Sequence, residues 1–290
     1  MEIYRNRNGQ VFRLGVPILE GATYEIFVSS RSSSAITGTE SQTLGTMEPG
    51  DGYIDVPINI IHTVYDGEVT VTAEITHGAY TFSIDDRLDV ITPIFTAEDL
   101  EGTGYDPEKV PELERLVRKV IETYTGQSFG KRIGVVHSTT AQDTIRFNAP
   151  LLMLTDLSWG GRYAPLSTTL NPPKIPHETI EDGYGLVIDW QNYDPKTDSL
   201  WIIRSDTPRI VNIEGIFGFD RVPQDVKEAA LLIAGVWGTK QAVWRDRFIQ
   251  TMRSADWSVQ YHERAFLSTG SVTADQLLSK YQRTALPEVF

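Results

Sequence analysis

Few residues of this chain have the types and spacing that chemistry requires. Residues 177–181 (HETIE) superficially resemble a zinc-protease motif, but that chemistry needs a second histidine one helical turn away on the same face. The five histidines, at positions 62, 77, 137, 177 and 262, show no ligand spacing, and each is predicted to be a surface residue or a satisfied loop residue. The absence of cysteine removes thiolate ligands, cysteine nucleophiles and disulfides. We therefore predict no catalytic residue, no metal site and no cofactor.

Neighbouring carboxylates offer one other route to catalysis. Asp85-Asp86 and Glu181-Asp182 could be imagined as the acid pair of a glycosidase, which needs two carboxyl groups about 5–10 Å apart. Sequence alone does not place two side chains at that distance. The alternative is a solvated polar surface, and it is the interpretation that we adopt.

Length and charge narrow the class of protein. At 290 residues, the chain is long enough for about two domains. Its formal charge of −13 argues against a protein that grips nucleic-acid phosphates. No apolar run approaches the roughly 18 residues of a membrane span. Residues 1–91 carry 13 acidic and 5 basic residues (net −8) and residues 92–290 carry 26 and 21 (net −5), which hints at two domains.

The hydrophobic pattern of residues 1–91 is typical of β structure. The clearest strand is 68–75, where Val69, Val71, Ala73 and Ile75 share one face at a period of two. About six such strands in roughly 90 residues predict a small β-sandwich of immunoglobulin-like type. The Ser/Thr/Gly-rich stretch 29–46 is predicted to be an exposed loop.

Residues 92–283 predict a second domain, so the fold class is α+β. Its helices are expected at about 111–125, 223–238, 240–254 and 273–283, around a β-rich insertion at 131–220. Gly126 is the expected left-handed cap of the first helix. The apolar stripe of that helix comprises Leu113, Leu116, Val117, Val120, Ile121 and Tyr124. The helix at 223–238 is apolar nearly all round and should be central and buried, with Val226, Ala230, Ile233 and Trp237 as core residues. Residues 273–276 (TADQ) fit a capping box that opens the last helix.

Two further features could bind partners. Trp159, in the segment SWGG, is predicted to lie on a loop, where it could either anchor a partner or pack in the core. Residues 284–290 form a tail whose Leu286, Val289 and Phe290 a free solvated segment has no need to expose. Such a tail could become ordered on a partner or fold back onto its own subunit.

Three segments together resemble a known family. Residues 124–129 (YTGQSF) end the first helix, residues 222–234 (VPQDVKEAALLIA) open the second, and residues 275–278 (DQLL) fall in the last. This arrangement resembles the head–tail connector proteins of tailed bacteriophages, also called adaptor or head-completion proteins. The resemblance covers about two-thirds of the chain, and the departure from it is the leading β domain, 1–91, which the smallest connectors lack.

The resemblance implies a structural role in the virion. It implies a ring of about twelve copies beneath the portal protein, closed by heterologous contacts between subunits. The ring would extend the DNA channel towards the stopper or tail protein, with double-stranded DNA passing through without specific binding. The location would be the virion neck, after assembly in the host cytoplasm, with no membrane. Leu286, Val289 and Phe290 would then dock on the portal. The alternative is a baseplate or tail-fibre component whose β domains hold a partner protein or a sugar.

Overall fold

The chain folds as two compact units. The computed structural model describes residues 2–140, 144–160, 177–180, 183–188, 209–238, 251–253, 258–260 and 269–282. The N-terminal unit comprises Met1–Thr92 together with Gly130–Ile133. The C-terminal unit comprises Pro93–Phe129 and Gly134–Phe290. This division differs from the expected domains 1–91 and 92–283, because residues 130–133 return to the N-terminal unit.

Two sheets build the N-terminal unit. Its strands are β1 (Glu2–Tyr4), β2 (Gln10–Gly15), β3 (Thr23–Ser30), β4 (Ser41–Thr46), β5 (Tyr53–Ile58), β6 (Gly67–His77) and β7 (Tyr80–Ile91). They form a five-stranded sheet in the order β1-β7-β6-β3-β4 and a two-stranded sheet of β2 and β5. Alternate residues of both sheets enter one hydrophobic core. The predicted inward face of β6 is confirmed, since none of its four side chains is more than 1% exposed.

The expectation of an exposed loop over 29–46 is wrong. Helix α1 occupies Arg31–Thr37, and β4 follows it. The Ser30 hydroxyl caps the helix by accepting from the backbone N–H of Ser33 at 2.9 Å, and Gly38 ends it at a φ of +72°. The small polar residues of this stretch predict a loop because serine favours turns as well as helix N-caps.

The C-terminal unit combines helices with further sheets. Its helices are α2 (Val110–Thr125), α3 (Gln224–Gly238) and α4 (Val272–Leu278), which runs into a 3₁₀ turn at Ser279–Tyr281. The remaining strands are β8 (Lys131–Thr140), whose first three residues belong to the N-terminal unit, β9 (Thr144–Arg146), β10 (Leu151–Gly160), β11 (His177–Thr179), β12 (Gly185–Ile188), β13 (Arg209–Gly218), β14 (Thr251–Arg253) and β15 (Ser258–Gln260). The sheets are β10-β13-β8, β11-β12-β9 and β14-β15. Mixed α and β structure in several sheets agrees with the coarse fold class.

Helix α2 matches its predicted position but not its predicted face. It ends at Gly126, whose φ of +71° is the left-handed cap that the sequence indicated. The apolar stripe of the sequence includes Leu116, yet Leu116 is 44% exposed, whereas Glu114 and Thr125 are buried. The buried line is therefore rotated from the apolar stripe, and part of the apolar surface stays uncovered.

Helix α3 is central but not surrounded. Val226, Ala230 and Ile233 are each 0% exposed, whereas Leu232 is 41% exposed and Glu228 faces solvent. The expectation of burial on all sides is thus wrong for one face. Trp237 falls in the last turn of α3, and its side chain lies outside the described residues.

The other two predicted helices need correction. The helix expected at 240–254 cannot reach 254, because Thr251–Arg253 is strand β14, paired with β15; residues 239–250 lie outside the described residues. The last helix, expected over 273–283, spans Val272–Leu278 and continues only as a 3₁₀ turn to Tyr281. It begins two residues earlier than the capping box implied. Its N-cap is Ser271, whose hydroxyl accepts from the Ala274 N–H, so Thr273 is not the cap.

Candidate interaction surfaces

Two segments with a superficial likeness to catalytic motifs lie in strands. His177 begins strand β11, which pairs with β12. It therefore does not lie on the helix that the zinc-protease motif requires. Asp85 and Asp86 are consecutive on β7 and exposed, and consecutive strand residues point to opposite faces of the sheet. They therefore do not flank one bond as a glycosidase pair. Within the described ranges, no group of three or more potential ligands is close enough to hold a metal ion.

His62 is an exception to the prediction that the histidines lie at the surface or in satisfied loops. It is 0% exposed, and its Nδ1 lies 3.2 Å from the Ser30 hydroxyl. Its Nε2 is buried without a hydrogen-bond partner, and burial lowers the pKa of the ring. Ser30 also caps α1, and its side chain is buried like that of His62. The serine–histidine pair therefore lies inside the core, where a substrate does not reach it.

The segments that carry the family resemblance share one hydrophobic core, called here the helical cluster, which contains Phe129 of the first segment, Val226 of the second and Leu278 of the third. Phe129, at the end of the YTGQSF segment, stacks on Phe219 at a centroid distance of 5.4 Å and meets Tyr281 edge-on at 5.5 Å. The Gln127 side-chain amide donates to the carbonyl of Tyr281 at 2.8 Å. The end of α2, the entrance to α3 and the end of α4 are therefore tied together by residues far apart in sequence.

Two ion pairs bind the start of α3 to that cluster. Lys227 contacts Asp99 at 2.6 Å, and Lys280 contacts Asp225. Burial by itself would raise the pKa of Asp99, but the hydrogen bond and charge of Lys227, together with the hydrogen bonds from the Thr96 N–H and hydroxyl, outweigh burial, and the pKa is lowered. The Lys280 hydrogen bond lowers the pKa of Asp225. The charged residues of the VPQDVK segment thus stabilise the packing of α3.

Buried Glu114 joins α2 to the start of the C-terminal unit. One carboxylate oxygen accepts the backbone N–H of Ile94 at 2.9 Å, and the same oxygen lies 3.3 Å from Nε of Arg118. The sequence does not predict the burial of Glu114, because a charged residue beside the apolar stripe of a helix is usually exposed to solvent. The only signal is Arg118, four residues later on the same face.

An apolar groove runs beside the first half of α2, and we call it the α2 groove. It has a volume of about 540 Å³. The described residues that line it are Gly104, Tyr105, Asp106, Lys109, Val110, Glu112, Leu113 and Leu116. Tyr105 is fixed in the wall by its hydroxyl, which donates to the Ala234 carbonyl of α3 at 2.9 Å. The groove is the concave counterpart of the apolar surface that α2 leaves uncovered.

A second apolar surface lies on the N-terminal unit, at the turn between β6 and β7. We call residues 76–84 the hairpin tip. Tyr80 is 79% exposed and Phe82 is 39% exposed. Phe82 pairs across the hairpin with Ile75, which is fully buried. The core face of the five-stranded sheet therefore continues past its buried part and ends in two uncovered aromatic rings.

Of the predicted partner-contact residues, the structure describes the backbone of Trp159 alone. Trp159 belongs to strand β10 and pairs with Val211 of β13, so the prediction of a loop is wrong; its side chain lies outside the described residues. The 284–290 tail, with Leu286, Val289 and Phe290, also falls outside them. None of the helices in the described ranges has the length and apolar character that a membrane crossing requires.

Comparison with known proteins yields no assignment: no protein-family model matches the chain, and neither does any curated protein sequence.

Proposed function

We propose that the chain is a structural virion protein, the head-to-tail adaptor of a tailed bacteriophage, without catalytic activity. It would assemble as a ring of about twelve copies beneath the portal, extend the DNA channel and join the head to the stopper or tail. The proposal rests on one observation: the three segments with a connector-like sequence pack against one another in the helical cluster. A shared core is what such segments require if they belong to one assembly domain.

The electrostatics support the same role. With a formal charge of −13, the chain lacks the basic excess with which proteins hold nucleic-acid phosphates. An acidic conduit lets double-stranded DNA pass without retaining it. The protein would then act in the virion neck, after assembly in the host cytoplasm.

The finer architecture is part of the proposal. We infer that the N-terminal unit is a sandwich of immunoglobulin-like type, supported by its two sheets and their common core. The C-terminal unit would be the connector domain. Leu286, Val289 and Phe290 would dock on the portal, where burial of their side chains offsets the entropy lost on ordering.

Electron microscopy tests this proposal. Negatively stained full-length protein, alone and mixed with purified portal, should show rings with a central channel, stacked on the portal in the mixture. A protein that forms no ring in either sample and leaves the portal undecorated would contradict it.

The second candidate is a baseplate or tail-fibre component that binds a protein or a sugar. The exposed rings of Tyr80 and Phe82 favour it, because aromatic side chains dominate binding surfaces. Decoration of tail tips or fibres, with heads and portals left bare, would select this function over the first.

A further inference from the structure

The hairpin tip has the form of an anchor that its own copy does not cover. Positions 80, 82 and 84 of β7 lie on the period-two face that passes through exposed Asp86 to buried Leu88 and Val90. Tyr80 and Phe82 thus extend a core face into solvent. An exposed Tyr–Phe pair at the end of a stiff hairpin costs little conformational entropy when it is buried by a partner.

The tip is also the neutral part of an acidic unit. Residues 76–84 (THGAYTFSI) contain no Asp, Glu, Lys or Arg, whereas residues 1–91 hold 13 carboxylates. A partner surface with negative charge would repel most of this unit but not its tip.

The α2 groove has such a charge and a suitable shape. Its floor is apolar, from Tyr105, Val110 and Leu113 to the exposed side chain of Leu116. Along it, Lys109 pairs with Asp106 at 3.1 Å, so the charge of Glu112 leaves the described lining with a net negative charge. Its volume of about 540 Å³ falls in the range of about 300–1,000 Å³ typical of pockets that bury a compact apolar group.

We infer that the hairpin tip of one copy inserts Tyr80 and Phe82 into the α2 groove of a second copy. This inference rests on the proposed function, because it names the contact by which copies join. Tip and groove are different surfaces, so the contact is heterologous, and an open chain of copies keeps one free tip and one free groove at its ends until a ring closes. A contact of this kind yields a ring where its rotation closes and a filament where it does not.

Cross-linking tests the contact directly, because the chain has no cysteine of its own. Two single-cysteine proteins, Tyr80→Cys and Leu116→Cys, are mixed under assembly conditions and treated with a short bismaleimide. A covalent dimer that contains one copy of each is expected. The matched control replaces Tyr80→Cys with Tyr53→Cys, an exposed aromatic position of the same unit, which should give no dimer. Equal yields from both mixtures, or no dimer from either, would overturn the inference.

Substitutions give the second readout. The pair Tyr80→Ser and Phe82→Ser should weaken self-association by at least about tenfold, the usual loss when aromatic anchors are removed. Leu116→Glu should do the same from the other side, and Tyr53→Ser should not. Undiminished assembly of both variants would refute the contact.

The same samples, viewed by electron microscopy, separate this inference from the proposed function. Rings that stack on the portal without any 80–116 cross-link would reject the inference and keep the function. Cross-linked filaments that ignore the portal would keep the contact and reject the function. If the deletion of 284–290, rather than the tip substitutions, frees Leu116→Cys for labelling, the tail occupies the groove and the inference is wrong.

Discussion

In the N-terminal unit, the carboxylate of Asp66 accepts the backbone N–H of Thr92 at 3.2 Å and its hydroxyl at 2.7 Å. In the C-terminal unit, the carboxylate of Glu114 accepts the N–H of Ile94, two residues further along the chain. In each unit, one carboxylate therefore accepts a backbone hydrogen bond from the chain segment that connects the units. The cores differ: alternate residues of neighbouring strands fill the first, whereas the helical cluster joins segments up to about 150 residues apart, as between Gln127 and Tyr281.

Because their cores differ, the two units should differ in how strongly a single substitution lowers their stability. A β core with many equivalent alternate positions spreads its stability over several strands. A cluster of three helices depends on the few side chains at their crossing points. We therefore expect local changes to be more damaging in the C-terminal unit.

The largest effect should come from Ala230→Asp. Ala230 is 0% exposed on the buried face of α3, and an unpaired carboxylate there should cost more than about 4 kcal/mol. Calorimetry of the full chain should show the C-terminal transition lost and the N-terminal one kept. Leu232→Asp, on the exposed face of the same helix, is the control and should change little. Loss of both transitions would mean that the two units do not fold separately.

Glu114→Ala should follow, at about 3 kcal/mol in the C-terminal unit, because it strips the Ile94 N–H of its acceptor and Arg118 of a partner. Denaturant unfolding followed by helical circular dichroism measures the loss. Glu112→Ala, exposed on the same helix, should cost less than about 1 kcal/mol. Equal effects of the two variants would remove Glu114 from the account.

Gly130→Ala should destabilise the N-terminal unit by about 2 kcal/mol. A Cβ at position 130 would lie 1.4 Å from Oδ2 of Asp66, so the carboxylate must move and its two hydrogen bonds to Thr92 break. The thermal transition of the β unit reports the change. Gly15→Ala, where an added Cβ meets nothing within 4 Å, is the matched control. A Gly130→Ala protein that melts like the control would show that Asp66 does not hold this junction.

A fragment of residues 1–92 sharpens the same point. It should give β-type circular dichroism and a cooperative melt, at a lower temperature than the N-terminal transition of the full chain. The reason is that the fragment lacks Lys131, whose carbonyl accepts the Asp66 N–H at 2.7 Å. An unfolded fragment would show that residues 130–133 are essential to the unit, and an unchanged melting temperature would show that they are dispensable.

The smallest effect concerns pH and His62. Burial lowers the pKa of His62 in the folded chain, whereas the unfolded chain has the ordinary value of about 6.5. As the pH falls through about 6.5, His62 becomes protonated in the unfolded state while it stays neutral in the folded state. Proton binding therefore favours the unfolded state, and the N-terminal unit should lose stability in this range. His62→Gln should flatten this dependence, and His77→Gln, at the exposed hairpin, should leave it in place. An unchanged slope in His62→Gln would contradict the assignment.

The sequence was informative where structure is local. The alternation of β6 and the left-handed cap at Gly126 were both predictable, because a strand face and a helix end are set by neighbouring residues. Helix α1 was missed, since its serines suit turns as well as caps.

Features that depend on distant partners were out of reach. The sequence predicts that Leu116 is buried and Glu114 exposed, and the structure has the reverse. The reason is that the face of α2 that is buried depends on which elements cover it. The hairpin tip was equally hidden, since the alternation of β7 does not reveal where the second sheet stops covering it. Of the candidate site residues, the buried positions of α3 followed from pattern, whereas the strand setting of Trp159 did not.

Native mass spectrometry of the full-length chain, with and without purified portal rings, shows whether the chain is a ring-forming adaptor that binds the portal. We expect a discrete complex in which one portal ring carries about twelve copies of the 32.5 kDa chain. A portal of unchanged mass beside free 32.5 kDa monomer would contradict it.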